Sequence, residues 1–227
     1  MAYELYIGDR MYSSWSLRGW LMLEKFAIPH DTHLVGLYSG SMAQDMAHLA
    51  PARLVPALRT EQGLVIGESL AMAETLAEDF PTAGLWPKAA DQRATARWLV
   101  TEMVAGFSAL RGDCPMQLSH VWKGFTPSEA VLTDLARIET LFAHARKISG
   151  SSDGYLFGHY SLAEVFYTPV AARIIGYDLP VSDATRSYCE LLLSDPAVQR
   201  WQSQARTVTY DPEPYLLDLD RAPWPFG

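Results

Sequence analysis

A change in sequence pattern near residue 81 constrains the fold of this chain more than any other feature. Before it, short apolar runs typical of strands alternate with amphipathic stretches typical of helices. After it, apolar residues recur at helical spacing without a convincing strand pattern. A chain of 227 residues accommodates two modest domains. We therefore predict a first domain at residues 1–81, a linker at 82–90 and an all-α second domain at 91–227 with an irregular, proline-rich tail.

The first domain is predicted to fold as βαβαββα. Its expected elements, in chain order, are a strand at 3–7, a helix between Ser13 and Pro29, a strand at 33–36, a short helix at 43–49, strands at 54–58 and 63–67, and a helix from Ser69 to Phe80. This order predicts a mixed sheet with helices on both faces.

Helix signals in the second domain are strongest at Ser161. The segment from Ser161 to Glu164 forms a capping box, in which each of these two side chains can bond the other residue's backbone amide. Apolar stripes predict one helix through residues 100–110 and another through 131–145. Asp195 and Pro196 predict the start of a last helix.

Composition predicts a soluble, cytoplasmic protein. No stretch approaches the roughly 20 apolar residues of a membrane span, and the N-terminus lacks the pattern of a secretory signal. Cys114 and Cys189 are far apart and indicate neither a disulfide framework nor a redox motif. A net charge of −8 without a Lys/Arg cluster argues against nucleic acid. The six histidines lack metal-ligand spacing, so no metal is expected.

Three motifs make nearly the whole chain resemble the cytosolic glutathione S-transferase family. Residues 13–18, Ser-Ser-Trp-Ser-Leu-Arg, resemble the SSCSWR segment of the zeta class, which includes maleylacetoacetate isomerases. Residues 55–58, Val-Pro-Ala-Leu, resemble the family's VPxL segment, and Glu68-Ser69 resembles its glutathione motif. The resemblance implies a serine-type enzyme with a thioredoxin-like N-terminal domain, which acts in the cytoplasm as a homodimer in detoxification.

The resemblance assigns thiol activation to Ser13. The thiol of glutathione, with a reference pKa of about 8.5, must be held as a thiolate, and a hydroxyl at a helix N-terminus can donate to it. Ser14 is the alternative donor, and a phenol from Tyr6 or Tyr12 is a further one. From the residues alone, capping of the helix by Ser13, Ser14 and Ser16 would be the simpler interpretation.

By the same resemblance, glutathione would bind along Val55, Pro56, Glu68 and Ser69, with Ser14 also in contact. Val55 would offer its backbone to the cysteinyl part, exposed by a cis peptide before Pro56. Glu68 and Ser69 would hold the γ-glutamyl end. Without the resemblance, a trans proline, a solvated glutamate and a capping serine would be the simpler interpretations.

A small apolar electrophile would then bind beside the helical domain. Bulky or amphipathic residues on segments that flank this position in similar folds are Tyr12, Trp15, Phe107, Arg111, Met116 and Trp122. Most of these side chains could equally be core residues, and an arginine more often faces solvent.

Two functions follow from the sequence. The first is a glutathione transferase or glutathione-dependent isomerase, in which the thiolate attacks an electrophilic carbon. The second is a protein of the same fold that binds ligands or partners without catalysis. Thiol-disulfide exchange is excluded because serines, and no cysteine, stand at the head of the first helix.

Overall fold

The computed structural model describes residues 3–207 and 209–226. Its elements, in chain order, are β1 (Tyr3–Ile7), α1 (Ser14–Glu24), β2 (His30–Leu34), α2 (Met42–Asp45), β3 (Ala57–Arg59), β4 (Val65–Ile66), α3 (Ser69–Asp79), α4 (Ala90–Ala105), α5 (Ser108–Asp113), β5 (His120–Trp122), α6 (Glu129–Ser149), α7 (Leu162–Gly176), α8 (Asp183–Leu193), α9 (Pro196–Thr207) and β6 (Arg221–Pro223). The outermost ends of the two predicted domains, residues 1–2 and 227, lie outside the described residues.

Strand β1 organises the sheet of the N-terminal half. It pairs in parallel with β2 and antiparallel with β3, and β3 pairs antiparallel with β4. The strand order is β2-β1-β3-β4. The βαβαββα order and the mixed, thioredoxin-like sheet are therefore confirmed.

Several strand and helix bounds differ from the predicted ones, because backbone hydrogen bonds determine where each element begins and ends. Strand β2 begins earlier than predicted because its ladder with β1 opens at the pair Tyr3 and His30. Strand β3 starts only after Pro56, which has no N–H to donate to a ladder. The short helix predicted at 43–49 divides into α2 and a 3₁₀ turn at Ala47–Leu49.

The prediction of one continuous helix through residues 100–110 is wrong. Helix α4 ends at Ala105 and α5 begins at Ser108, because Phe107 between them adopts a left-handed backbone with φ of 55°. Gly106 allows the turn, since a Cβ at this position would lie 2.8 Å from the carbonyl oxygen of Glu102. Arg111 on α5 lies beside the cleft described below.

The prediction of a purely helical second half with an irregular tail needs one correction. Residues Arg221–Pro223 form strand β6, which pairs antiparallel with β5. The Arg221 guanidinium also lies 4.6 Å from the ring centroid of Trp122 on β5. The tail is thus fastened by backbone hydrogen bonds as well as by a side-chain contact.

The segment between α3 and α4 has no regular secondary structure, yet it is anchored. Leu85 and Trp86 are buried within it, and the carbonyl oxygen of Leu85 accepts a hydrogen bond of 2.8 Å from the amide of Leu162. The predicted linker at 82–90 falls on this segment. The division into two domains at this point stays a prediction.

Helix α7 forms the centre of the helical half, and every one of its residues is buried. It packs against α1, α4 and α8. The predicted capping box at its start is confirmed, because the Glu164 carboxylate accepts from the Ser161 amide at 2.8 Å and the Ser161 side chain accepts from the Glu164 amide. Ser161 Oγ also accepts from the Ala163 amide at 3.2 Å. No helix in the described ranges is both long and apolar enough to cross a membrane.

Glu164 also ties neighbouring segments to the start of α7. Its carboxylate is completely buried and accepts hydrogen bonds from the Leu156 amide at 2.9 Å and the Tyr188 hydroxyl at 3.3 Å. We predict that Glu164→Ala lowers the free energy of unfolding by about 3–5 kcal/mol, because several buried donors lose their acceptor together.

Urea denaturation followed by circular dichroism measures this loss. The control is Glu190→Ala, an exposed carboxylate on α8, which should change stability by no more than about 0.5 kcal/mol. Equal stability of the two variants would contradict the role assigned to Glu164.

Candidate functional site

A cleft of about 510 Å³ opens where the start of α1 meets the helical half. Seven residues predicted for the site lie on its wall: Tyr12, Ser13, Ser14, Trp15, Val55, Arg111 and Met116. The wall is completed by residues that the sequence did not indicate: Leu37, Tyr38, Met42, Leu54, Ser108, Gly112, Pro115, Arg173 and Tyr215. The cleft thus combines hydroxyls, aromatic rings and two arginines.

The turn that leads from β1 into α1 is organised by Asp9, whose side chain is fully buried. Its carboxylate accepts from the amide of Met11 at 2.8 Å and from the amides of Tyr210 and Asp211 at 3.0 and 3.2 Å. One carboxylate therefore holds both the entry to α1 and the C-terminal tail.

Ser13 is the N-cap of α1. Its Oγ accepts from the Ser16 amide at 3.3 Å and donates to Ser16 Oγ at 2.7 Å, and Ser16 Oγ in turn accepts from the Gly8 amide at 2.9 Å. The hydroxyl proton of Ser13 is consequently used inside the protein. The observed geometry of Ser13 is therefore that of a helix cap.

Ser14 is the first residue of α1, and its hydroxyl is arranged differently. Its Oγ accepts from Arg173 Nη2 at 3.4 Å. Among the described residues, no acceptor takes the Ser14 hydroxyl proton. Ser14 therefore has a proton available to donate into the cleft. The buried Arg173 guanidinium polarises this hydroxyl.

Three arginines surround this helix start. Arg18 is completely buried and lies 4.4 Å from the ring centroid of Trp15, and Arg111 lies 5.1 Å from the same centroid. Burial lowers the pKa of Arg173 to about 10, and the positive charge of Arg111 adds to the shift. Burial also lowers the pKa of Arg18 well below its usual value, with Arg173 and Arg111 contributing. The cleft is a region of positive charge.

The tail and the loop after β2 meet at the mouth of the cleft. The Asp211 carboxylate accepts from the amides of Leu37, Tyr38 and Ser39, each at 2.8 Å. The hydroxyls of Tyr38 and Tyr215 are hydrogen bonded, and both rings pack edge-on against Tyr12. Burial raises the pKa of Tyr12 to about 12, so its phenol stays protonated at neutral pH.

Some of the predicted glutathione-binding residues line the cleft, and others lie outside its wall. Val55 lies on the wall, and the peptide bond before Pro56 is cis, as predicted. Ser69, at the first position of α3, is 3% exposed, and its hydroxyl has no partner among the described residues. Glu68 precedes it and is exposed. Pro56, Glu68 and Ser69 are not on the cleft wall, and their role stays a prediction.

Phe107 and Trp122 lie in the hydrophobic core and do not line the cleft. Tyr6, the further phenol considered for the thiol, packs in a separate small hydrophobic cluster with Val35 and Leu49 and does not line the cleft. All three aromatic residues therefore occupy core positions.

Arg173 is the main site residue that the sequence analysis missed. A signal was present, because Arg173 stands in a stretch of α7 from Val165 to Gly176 that otherwise carries no charge. A charged residue in such a stretch is rarely buried without a partner. Tyr38 and Tyr215 gave no comparable signal, since only tertiary folding brings them to the cleft.

Comparison with known proteins relates the N-terminal part of the chain to the glutathione S-transferase family. Residues 12–79 match the family model of the glutathione S-transferase N-terminal domain. No curated protein gives a significant match to this chain. The N-terminal match contains Ser13, Ser14, Val55 and Ser69.

Solved structures share the fold at low sequence identity. A glutathione transferase homologue from Burkholderia with bound glutathione is 22% identical, with a TM-score of 0.68, and covers 92% of this chain and 100% of its own. Glutathione transferase Omega 2S from Trametes versicolor, in complex with 2,4-dihydroxybenzophenone, is 19% identical, with a TM-score of 0.69 over 91% of this chain and 95% of its own. A homologue from Lodderomyces elongisporus with two glutathiones per subunit is 15% identical, with a TM-score of 0.65 over 89% of this chain and 98% of its own. The chain therefore has the glutathione S-transferase fold.

The contact between Asp211 and the loop after β2 yields a prediction. In Asp211→Ala the amides of Leu37, Tyr38 and Ser39 lose a shared charged acceptor, and we expect their hydrogen exchange to accelerate about 10–100-fold. Exchange followed by mass spectrometry measures this effect. Asp218→Ala, an exposed carboxylate of the same tail, is the control. Unchanged exchange in the Asp211 variant would show that the loop is held by other contacts.

Proposed function

We propose that this chain is a glutathione S-transferase-family enzyme of the serine type, which activates the glutathione thiol for attack on a small electrophile. The N-terminal family match, the shared fold and the cleft at the start of α1 support the proposal. The observation that carries it is the Ser14 hydroxyl, which faces the cleft with a free proton and a buried arginine behind it. The resemblance extends the proposal to a cytoplasmic homodimer with a role in detoxification.

The chemistry requires stabilisation of a sulfur anion. A hydroxyl that donates to a thiolate contributes about 1.5–3 kcal/mol, which lowers the thiol pKa by about one to two units. The N-terminus of α1 adds about 0.3–1 kcal/mol. From a reference pKa of about 8.5, these two contributions make the bound thiol largely a thiolate at neutral pH.

Of the two serines, Ser14 is favoured as the thiolate donor. Donation by Ser13 would require its hydroxyl to leave Ser16 Oγ, whereas Ser14 already has an uncommitted proton. Arg173 donates to the Ser14 oxygen, and this contact strengthens the hydroxyl as a donor. Ser13 would then set the geometry of the helix start as its N-cap.

The remaining glutathione contacts follow the motifs. The backbone of Val55, on the cleft wall, would pair with the cysteinyl part of the tripeptide. The unpartnered Ser69 hydroxyl and the free amides of the first turn of α3 would donate to the γ-glutamyl carboxylate, with the Glu68 carboxylate beside the ammonium of the ligand. A buried hydroxyl without a partner at a helix start is an arrangement that an anionic ligand completes.

In the reaction, the sulfur lone pair forms a bond to an electrophilic carbon. For a transferase, a leaving group departs with its bonding electrons, and the thiol proton passes to solvent. For an isomerase, the sulfur adds reversibly to an unsaturated carbon and is expelled after bond rotation. Both reactions use the same activated thiolate.

A non-catalytic binding protein of the same fold is the second candidate. The internal hydrogen bond from Ser13 to Ser16 favours it, because the serine indicated by the family motif makes a structural contact. Retention on glutathione-agarose without turnover of a reactive halo-aromatic would support this alternative.

The serine assignment is tested by Ser14→Ala. We predict that the pKa of the bound thiol rises by about one to two units, and that kcat/KM at neutral pH falls about 5–20-fold with the fraction of thiolate. The activity of the variant should then rise with pH through neutrality, where the native enzyme is already on its plateau. Ultraviolet absorbance of the bound thiolate, titrated against pH, measures the shift directly.

The controls are Ser13→Ala and Ser203→Ala, the latter an exposed serine on α9. Ser203→Ala should leave the titration unchanged. A shift in the Ser13 variant with none in the Ser14 variant would assign the role to Ser13. No shift in either serine variant would exclude hydroxyl activation.

A further inference from the structure

Asp9 carries a buried carboxylate that the proposed thiol chemistry does not use directly. Its side chain is fully buried and forms no ion pair within the described residues. Each hydrogen bond that the carboxylate accepts comes from a backbone amide. A buried carboxylate that lost these amides would be strongly destabilising, so the segments that supply them are held firmly in place.

Asp9 holds the approach to the two serines of α1 with its backbone as well as its side chain. Its carbonyl oxygen accepts from the Ser13 amide at 2.9 Å and from the Tyr12 amide at 3.3 Å. Its Oδ1 accepts from the Met11 amide at 2.8 Å. Ser14 follows this turn as the first residue of α1. The position of the Ser14 hydroxyl in the cleft therefore depends on the turn that Asp9 organises.

The second carboxylate oxygen of Asp9 binds the C-terminal tail. Oδ2 accepts from the amides of Tyr210 and Asp211 at 3.0 and 3.2 Å. The same two tail residues also bind the loop after β2. The Tyr210 hydroxyl donates to the Val35 carbonyl oxygen at 3.0 Å, and the Asp211 carboxylate accepts from three amides of the loop. Residues 210–211 thus form a tail clasp, which joins the turn before α1 to the loop after β2.

Both segments that the tail clasp joins contribute to the cleft wall. Ser13 and Ser14 follow the turn, and Leu37 and Tyr38 belong to the loop. Asp9 and the tail clasp themselves do not line the cleft. Their influence on a bound ligand must therefore pass through the residues that they hold.

The charge of Asp9 is unfavourable for an anion in the cleft. Burial raises the pKa of the Tyr12 phenol to about 12, and the negative charges of Glu213 and Asp9 add to the shift. A thiolate beside Ser14 would be subject to an interaction of the same sign. Direct electrostatic stabilisation of the sulfur by Asp9 is thus in the wrong direction, and its contribution has to come from the geometry that it imposes.

We propose that Asp9 is a positioning residue for thiol activation, and that the tail clasp belongs to the active site because it holds Asp9 and the turn before Ser14 together. The inference rests on the proposed glutathione chemistry of the same cleft. Without the Asp9 carboxylate, the Met11 amide and the two amides of the tail clasp lose a shared acceptor. The Ser14 hydroxyl then donates to the sulfur with poorer geometry and stabilises the thiolate less.

Titration of the thiolate in the glutathione complex tests the inference by the sign of the change. In Asp9→Ala the pKa of the bound thiol should rise by about half a unit to one unit, because part of the hydroxyl contribution is lost. Asp9→Asn removes the charge but keeps an acceptor oxygen, so we expect a smaller rise. If Asp9 acted through its charge, both variants would instead lower the thiol pKa by similar amounts.

Hydrogen exchange of the protein without glutathione reports on the tail clasp directly. In Asp9→Ala, the amides of Met11, Tyr210 and Asp211 should exchange at least about tenfold faster than in the native protein. Mass spectrometry of peptides that contain these amides measures the change. Unchanged exchange would show that Asp9 does not hold the turn and the tail together, and would overturn the inference.

Asp211→Ala is the matched control, because it also removes a buried carboxylate from this part of the chain. It frees the loop after β2 but keeps the Asp211 amide on Asp9, so the thiol pKa at saturating glutathione should stay at its native value. Asp218→Ala, at an exposed carboxylate of the tail, should change neither measurement. A rise in Asp211→Ala as large as that in Asp9→Ala would overturn the assignment to Asp9.

The remaining outcomes separate this inference from the proposed function. A native complex without a bound thiolate would refute the proposed function itself. A native thiolate whose pKa is unchanged or lowered in Asp9→Ala would refute only the positioning role. Should Asp9→Ala fail to fold, Asp9→Asn decides alone: a rise of the thiol pKa supports the role, and an unchanged or lower pKa overturns it.

Discussion

The complete burial of α7 is the constraint on which the rest of the structure depends. A helix with no exposed face must satisfy each polar group that it carries from within the protein. At its start, Glu164 does so by bonding the Ser161 and Leu156 amides and the Tyr188 hydroxyl. Toward its end, Arg173 does so only in part, and it reaches Ser14 across the boundary between the two halves. The fold and the site are therefore linked through one helix, whose capping fixes its position and whose arginine charges the cleft.

Local sequence signals were enough to predict most of the fold because they act within a few residues. The capping box at Ser161 and the order of strands and helices up to Pro81 depend on spacing and turn chemistry, which the sequence displays directly. The helix break at Phe107 was missed because apolar spacing continues across it, while the left-handed backbone depends on surrounding packing. Strand β6 was missed because its three residues lie within the proline-rich tail and form a ladder only with the distant β5.

The candidate site was predictable where a motif or the position in similar folds marked it. The motifs indicated Ser13, Ser14 and Val55, and similar folds indicated Tyr12, Trp15, Arg111 and Met116; the cleft wall contains all seven. Tyr38, Tyr215 and Arg173 come from three separate regions, and no spacing rule connects them. The assignment between the two serines could not be made from sequence, because it depends on hydrogen-bond directions. Ser13 donates to Ser16, and Ser14 accepts from an arginine located 159 positions further along the chain.

The unpaired arginines show how stability and function compete in this cleft. Replacing a buried, uncompensated cation by an apolar side chain of similar volume is often neutral or stabilising, so stability alone gives no reason for the two buried arginines, Arg18 and Arg173. In the proposed mechanism, Arg173 donates to the Ser14 oxygen and leaves the serine proton for the sulfur. The positive field of Arg173 and Arg111 would also favour the thiolate over the thiol, so the charge that costs the fold stability would serve the nucleophile.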